Sequence, residues 1–244
     1  MDRRIYNQPP LKEVVCEIKF MPTNNWDPTI PNKMYESLKS DFPKKEQAKG
    51  IEAEIGSGKD GIRHNLVVTE SLLLKNDAEN ILVNISPNRL IVTHLKPYLL
   101  WDSFKKVIIK VLETFSDLND ESVVDRLGLR YINEVSIPKY NKRSINEYFN
   151  FYPFIGSEFD AEYTSYFSGA QFSYDQGKSI LRLQLASKNQ NILMLDLDYL
   201  KSIKIKQSLS DVNNALEEAH SRIIQTFESS IKDSLRTVFD ERKD

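Results

Sequence analysis

The segment Arg126–Pro138, with the sequence RLGLRYINEVSIP, is the longest clean alternation of apolar and polar side chains in the chain. Successive side chains of a β-strand point to opposite faces, so this pattern predicts a strand with one face on a core. The face predicted to be buried consists of Leu127, Leu129, Tyr131, Val135 and Ile137, with Asn133 among them. The opposite face consists of Arg126, Gly128, Arg130, Ile132, Glu134 and Ser136. We therefore expect a long strand with one apolar face and one charged face.

The composition is that of a globular protein without a strong field of either sign. The chain has 244 residues, of which 40% are hydrophobic and 28% charged, and its net charge of −2 gives no global attraction for nucleic acid. Its single cysteine, Cys16, excludes an internal disulfide and is predicted to be a small buried side chain. No apolar run approaches the roughly 20 residues of a membrane helix, and no signal-peptide pattern follows the N-terminal arginines. We therefore expect a cytoplasmic protein with no membrane contact.

The first half of the chain predicts a strand, a short helix, a meander and a long helix. Leu11–Phe20 alternates as a strand does, and Asn32 is placed to cap a short helix that ends before Pro43. A weak strand is predicted at Ile51–Ile55. The meander strands are predicted at Leu66–Leu74, Ile81–Ser86 and Leu90–Leu95. Apolar residues at helical spacing from Trp101 to Leu118 predict an amphipathic helix.

The same order of elements recurs after the central strand. A short helix is predicted at Ser144–Phe149, and one helix of roughly 40 Å at Ser210–Phe239. The strands between them are predicted at Glu162–Tyr174, Ser179–Ser187 and Asn191–Tyr199. We therefore predict one α+β domain over residues 1–244: a mainly antiparallel, curved sheet of about eight strands with two long helices packed on one face. It is predicted as two similar β-α-βββ-α halves, roughly residues 11–118 and 122–240, related by internal duplication.

Several short motifs are shared with a known group of proteins. They are Pro9-Pro10-Leu11, Glu13–Phe20, Trp26-Asp27, Phe42-Pro43, Pro97-Tyr98 with Trp101, Arg126–Asn133 and Asp196-Leu197-Asp198. With these motifs the chain resembles a sporadically distributed family of uncharacterised prokaryotic proteins of about this length. The resemblance covers nearly the whole chain but implies no activity. The patchy distribution of the family implies mobile elements, and hence a defence or toxin–antitoxin setting.

Charged residues on the predicted strands supply the candidate site. The candidate ligand-binding residues are Arg126, Arg130, Glu134, Arg182, Asp196 and Asp198. If their strands are neighbours, arginines and carboxylates share one surface. Two interpretations stay open: a structural network of ion pairs, or a pocket for an anionic ligand, since the planar fork of arginine suits carboxylate and phosphate. Arg130 is expected to be buried and to pair with Glu134, Asp196 or Asp198.

The same carboxylates raise the alternative of a metal site. Asp196 and Asp198 project the same way about 7 Å apart, near enough to share a cation, and Glu134 would complete the set. No further ligands occur at a recognised spacing, and no nucleophile elbow, zinc quartet or dinucleotide-binding motif is present. We therefore predict no catalytic residue, no metal and no cofactor. A metal-dependent hydrolase or nuclease using Asp196 and Asp198 is the alternative.

An aromatic-rich segment, Tyr148–Tyr174, contains five of the 11 tyrosines and six of the 12 phenylalanines. Aromatic side chains on a sheet can stack unpaired bases, but few lysines or arginines interleave these. Core packing and a protein interface are the better interpretations. We therefore expect a non-enzymatic binding or interaction protein whose partner is another protein or a second copy of the chain. A small anionic ligand is a further candidate partner, and nucleic-acid binding is the second alternative function.

Overall fold

The structure is a computed structural model that describes most of the chain. It describes residues 4–22, 26–58, 61–98, 100–119, 122–137, 142–154, 156, 165, 167–189, 191–206 and 209–242. Within these ranges, the backbone alone is described at residues 50–69, 142–144 and 205–206.

These residues form an α+β fold on one open, antiparallel sheet, in which nine strands are described. The strands are β1 (Leu11–Phe20), β2 (Lys44–Gly58), β3 (Gly61–Lys75), β4 (Ile81–Ser86), β5 (Arg89–Leu95), β6 (Val123–Ser136), β7 (Phe167–Tyr174), β8 (Ser179–Ser187) and β9 (Ile192–Lys206). The helices are α1 (Ile30–Leu38), α2 (Trp101–Leu118), α3 (Leu209–Ser230) and α4 (Asp233–Val238), with 3-10 turns at Lys142–Glu147 and Asp175–Gly177. Across the sheet the strands follow the order β2-β3-β4-β5-β1-β6-β9-β8-β7.

Strand β6 has the two faces that its alternation predicts. The predicted apolar set and Asn133 are all at most 4% exposed. Asn133 is accommodated in the core because its side-chain amide donates to the backbone oxygen of Leu195, at 3.1 Å. The predicted core face of the central strand is therefore confirmed.

The chain divides into two compact units. The α2 unit comprises Cys16–Leu127 and Ile203–Asn213, and the α3 unit comprises Met1–Val15, Gly128–Ser202 and Asn214–Asp244.

The α2 unit has an aromatic core beneath its helix. Helix α2 has the predicted bounds, and its periodic residues Phe104 and Phe115 are completely buried. The ring of Phe115 stacks on Phe20 of β1, with the centroids 4.5 Å apart. Cys16 is buried as predicted, and burial raises the pKa of its thiol.

The α3 unit has an aliphatic core between its strands and α3. Leu183 of β8 lies directly opposite Leu197 of β9, and both are buried. The apolar stripe predicted for the last helix is buried at Leu216 and Ile223, whereas Val238 is 38% exposed. Val238 is exposed because it lies at the end of α4 rather than inside one continuous helix.

The single long helix predicted at Ser210–Phe239 is wrong. Helix α3 ends at Ser230 and α4 begins at Asp233. Between them Ile231 forms an antiparallel bridge with Phe149, and the backbone N–H of Lys232 donates to Tyr148 at 2.8 Å. The segment around Phe149 supplies hydrogen bonds that replace those of the helix, so the helix breaks although its apolar periodicity continues.

Several element bounds also differ from the predictions. Strand β2 has 15 residues where a weak strand at Ile51–Ile55 was predicted, because its whole length pairs with β3. Helix α1 has Pro31 in its first turn and Thr29, not Asn32, at its cap position. The predicted helix at Ser144–Phe149 is a 3-10 turn, and the part of the predicted strand at residues 162–164 and 166 lies outside the described residues.

Candidate functional site

Arg130 and Asp196 form a fork-shaped ion pair on the charged face of the sheet in the α3 unit. Arg130 Nε donates to both oxygens of Asp196, at 2.9 and 3.1 Å, and Nη2 donates to Oδ2 at 2.5 Å. These hydrogen bonds raise the pKa of Arg130. The side chain of Arg130 is 48% exposed and that of Asp196 is 15% exposed, so the prediction that Arg130 is buried is wrong. The charged face of β6 is open to solvent at this position.

Arg182 and Asp198 form a second, looser pair in the same unit. The two residues lie directly opposite each other in the pairing of β8 with β9. Arg182 Nη1 lies 3.5 Å from Asp198 Oδ2, and Nε donates to Gln171 of β7 at 3.4 Å. A contact of this length between exposed groups contributes little to stability.

Glu134 binds two lysines rather than an arginine. Lys188 donates to Glu134 Oε2 at 2.8 Å, and Lys12 donates to the same oxygen at 3.3 Å. These contacts, led by the hydrogen bond from Lys188, lower the pKa of Glu134. Glu134, Asp196 and Asp198 therefore each have a cationic partner, which fits the structural interpretation of these charges. Over the described ranges, no three His, Cys, Asp or Glu side chains are grouped so that they could hold a metal ion.

Arg126 belongs to a different cluster, in the α2 unit. Its Nη2 donates to Oε1 of Glu17 at 2.8 Å, while Nη1 of Arg89 lies 3.5 Å from Oε2 of the same carboxylate. Strands β1, β5 and β6 position these three side chains. Two guanidinium groups therefore contact one carboxylate. Arg126 Nε is buried and has no hydrogen-bond acceptor among the described residues.

The cluster lines a cleft of about 650 Å³ in the same unit. The polar lining includes Glu17, Lys19, Glu70, Ser71, Arg89 and Arg126. Trp26 lines the cleft as well, and its ring stacks on Phe115, with the centroids 6.3 Å apart. The cleft therefore combines an excess of positive charge with an aromatic side chain fixed by the core.

Sequence reasoning found one of the three residues of this cluster. It selected Arg126 but missed Glu17 and Arg89. Glu17 is one of the polar residues that alternate with apolar residues along β1, and Arg89 follows the turn at Pro87-Asn88. Both positions were visible in the sequence but carried little information. A charged residue in an alternating strand and a charged residue after a turn are both common at protein surfaces.

Comparisons with known proteins assign no family. No protein-family model matches this chain, and a search of curated proteins found no match to it. None of the described helices is long and apolar enough to cross a membrane.

Proposed function

We propose that this protein is a non-enzymatic binding protein whose cleft in the α2 unit takes a small anionic ligand. The observation that carries the proposal is the convergence of Arg89 and Arg126 on the single carboxylate of Glu17 in the cleft. Among the charged side chains that line the cleft, Lys19, Arg89 and Arg126 are positive and Glu17 and Glu70 are negative, so the lining has a formal net charge of +1. A carboxylate or phosphate group would complete this charge balance.

The donors of the cluster suit such a group. The guanidinium of arginine is planar and presents parallel N–H groups to two oxygens of one anion. Arg126 Nε is an enclosed donor to which an entering anion would provide an acceptor. Partial burial would strengthen the attraction between these arginines and an anion. The side chains of Arg89 and Arg126 are 24% and 38% exposed, so their charges are screened less than charges in open water.

A binding function is favoured over catalysis by the surroundings of the two histidines whose side chains are described. The side chains of His94 and His220 are both buried in the cores of their units and are not among the residues that line the cleft. In the hydrolase alternative, a metal ion would have to replace Arg130 as the partner of Asp196. The defence or toxin–antitoxin setting rests on the family resemblance alone.

Thermal unfolding with added anions tests the proposal. Inorganic phosphate and citrate, each compared with chloride at equal ionic strength, separate specific binding from screening. We expect one of them to raise the melting temperature, because a ligand of the native state at a hundred times its Kd stabilises by about 2.7 kcal/mol. Arg126→Gln should abolish the increase. Arg182→Gln, which removes an arginine from the α3 unit, is the matched control and should retain it.

The proposal is wrong if neither anion raises the melting temperature of the wild-type protein, or if both variants respond equally. Titration with Mg²⁺, Mn²⁺ and Zn²⁺ in the same assay tests the hydrolase alternative. A stabilisation by one of these ions that Asp196→Asn removes would favour it. Gel-shift assays with DNA and RNA at several salt concentrations test the nucleic-acid alternative.

We also propose that the two halves of the fold are structural repeats. Support comes from the strand order: β1 lies beside β5, and β6 lies beside β9. In each half the first strand is therefore a neighbour of the last strand of its own meander. Superposition of β3, β4, β5, β1 and α2 on β7, β8, β9, β6 and α3 in an experimental structure tests this. Equivalent strands that run in different directions would contradict it.

A further inference from the structure

The two strands that end the sheet differ in charge. Strand β2 carries six Lys or Glu residues among its 15. Strand β7, at the opposite end, has the sequence FSGAQFSY and carries none. Proteins commonly protect an edge strand with charged side chains or proline, because its unpaired N–H and C=O groups can bind another strand. By this criterion β2 is protected and β7 is not.

Two large apolar side chains of β7 are also exposed. Phe167 is 63% exposed and Phe172 is 42% exposed. The ring of Phe167 lies over Gly169, where an added Cβ atom would meet it at 3.2 Å. Within the described part of the chain β8 is the one strand that pairs with β7. Every second residue of β7 thus directs its backbone groups away from β8.

We propose that β7 pairs antiparallel with β7 of a second copy of this chain, so that the two sheets join across a two-fold axis. When β7 pairs antiparallel with β7 of a second copy, each strand offers the other the same row of backbone N–H and C=O groups. An isologous interface requires the same surface of both copies in this way. Charge selects this strand over β2. A β2 pair would bring three lysines and three glutamates of each copy to the junction, where they lose part of their hydration, whereas β7 brings no charge to it.

Sedimentation equilibrium over a wide range of protein concentration tests the proposal. We expect a reversible dimer of twice the 28.3 kDa chain mass. The double variant Ser168→Lys/Ser173→Lys places four positive charges around the junction and should weaken dimerisation by about tenfold or more. The control is Asn214→Lys/Gln225→Lys, which adds the same charge at exposed positions of α3 and should leave the dimer unchanged.

Three outcomes would overturn the proposal. These are a wild-type protein that stays at 28.3 kDa, a dimer that the β7 variant does not weaken, and a dimer that the control weakens equally. Amide hydrogen exchange of the wild-type protein gives a second measurement if the double variant does not fold. The β7 amides should gain protection as the protein concentration rises, and unchanged exchange would count against the pairing. A negative result in these dimer measurements would not contradict the proposed anion-binding function, because the cleft lies in the α2 unit and β7 lies in the α3 unit.

Discussion

The Arg130–Asp196 pair is partly exposed, which sets how much it contributes to stability. A buried arginine that lost its partner would cost about 3–5 kcal/mol, whereas exposed pairs contribute about 1 kcal/mol or less. Arg130 is half exposed and Asp196 is nearly enclosed. We therefore expect Arg130→Ala to lower the free energy of unfolding by about 1–2 kcal/mol, mostly because Asp196 loses its donors. Urea denaturation measures this loss.

A double-mutant cycle separates the pair from its surroundings. Arg130→Ala, Asp196→Ala and the double variant should give a coupling free energy of about 1 kcal/mol. The same cycle on Arg182 and Asp198, whose closest contact is 3.5 Å, should give a smaller coupling. Equal couplings at the two sites would contradict the role assigned to the forked geometry.

His94 should make the stability of the protein depend on pH. Its ring is completely buried against Tyr98 and Phe104, and neither ring nitrogen has a hydrogen-bond partner among the described residues. Burial lowers the pKa of His94 below 6.5, so the unfolded chain takes up a proton before the folded one does. The free energy of unfolding should therefore fall as the pH drops below about 6.5, by at most about 1.4 kcal/mol per pH unit from this residue.

The variant His94→Leu isolates this contribution. Leucine does not titrate, so the difference in unfolding free energy between the variant and the wild type should grow in favour of the variant as the pH falls. The measurement is a series of urea denaturations between neutral and mildly acidic pH. A difference that stays constant would show that His94 does not protonate on unfolding in this range.

At the scale of elements, the segment Ile5–Gln8 is tied to the C-terminal part of the α3 unit. Asn7 and Gln8 donate backbone hydrogen bonds to Asp240 and Phe239, each at 3.0 Å. The hydroxyl of Tyr6 donates to both oxygens of Glu228, at 2.8 and 3.0 Å. Burial and the bond with Glu228 raise the pKa of Tyr6. We expect Tyr6→Phe to lower the free energy of unfolding by about 1–2 kcal/mol, measured by urea denaturation.

Tyr35→Phe is the matched control for this hydroxyl. Tyr35 donates to the backbone oxygen of Pro43 at 3.2 Å in an exposed position, where water replaces the bond on mutation. Its loss should amount to about 0.5 kcal/mol or less. If the two variants were destabilised equally, the bond between Tyr6 and Glu228 would contribute nothing beyond an exposed hydrogen bond.

At the scale of the whole molecule, four elements are shared by the two units. The unit boundaries fall after Val15, Leu127, Ser202 and Asn213, which lie within β1, β6, β9 and α3. Unfolding of either unit would therefore remove part of a strand or helix that continues into the other. We expect one cooperative transition. Both tryptophans, Trp26 and Trp101, lie in the α2 unit, so fluorescence follows that unit while circular dichroism follows all secondary structure.

Coincidence of the two curves is the test of cooperative unfolding. Tryptophan fluorescence that changes at a different urea concentration from the circular dichroism would show that the α2 unit unfolds separately. The prediction of a single domain would then be wrong.

Local periodicity determined much of the fold. The core face of β6 and the bounds of α2 and β8 follow from patterns of two and 3.6 residues, because burial on one face of a regular element repeats with the geometry of that element. The same two-residue alternation predicts that charged side chains of β6, β8 and β9 lie on the face opposite the apolar residues. The pairing of Arg182 with Asp198 needed one further fact, the register of the hairpin between β8 and β9.

Contacts between distant segments were decided by the tertiary structure alone. The break between α3 and α4 depends on two backbone hydrogen bonds, in which Tyr148 accepts from Lys232 and Asn150 donates to Ser230, and no helical pattern encodes them. The meeting of Glu17, Arg89 and Arg126 depends on the placement of β1 between β5 and β6. Sequence alone thus determined which face of β6 is apolar and which is charged, since that depends on neighbours a few residues away, but it did not determine the half-exposed position of Arg130. Which of the outward charges meet depends on the strand order, and that order is set by packing of the whole sheet.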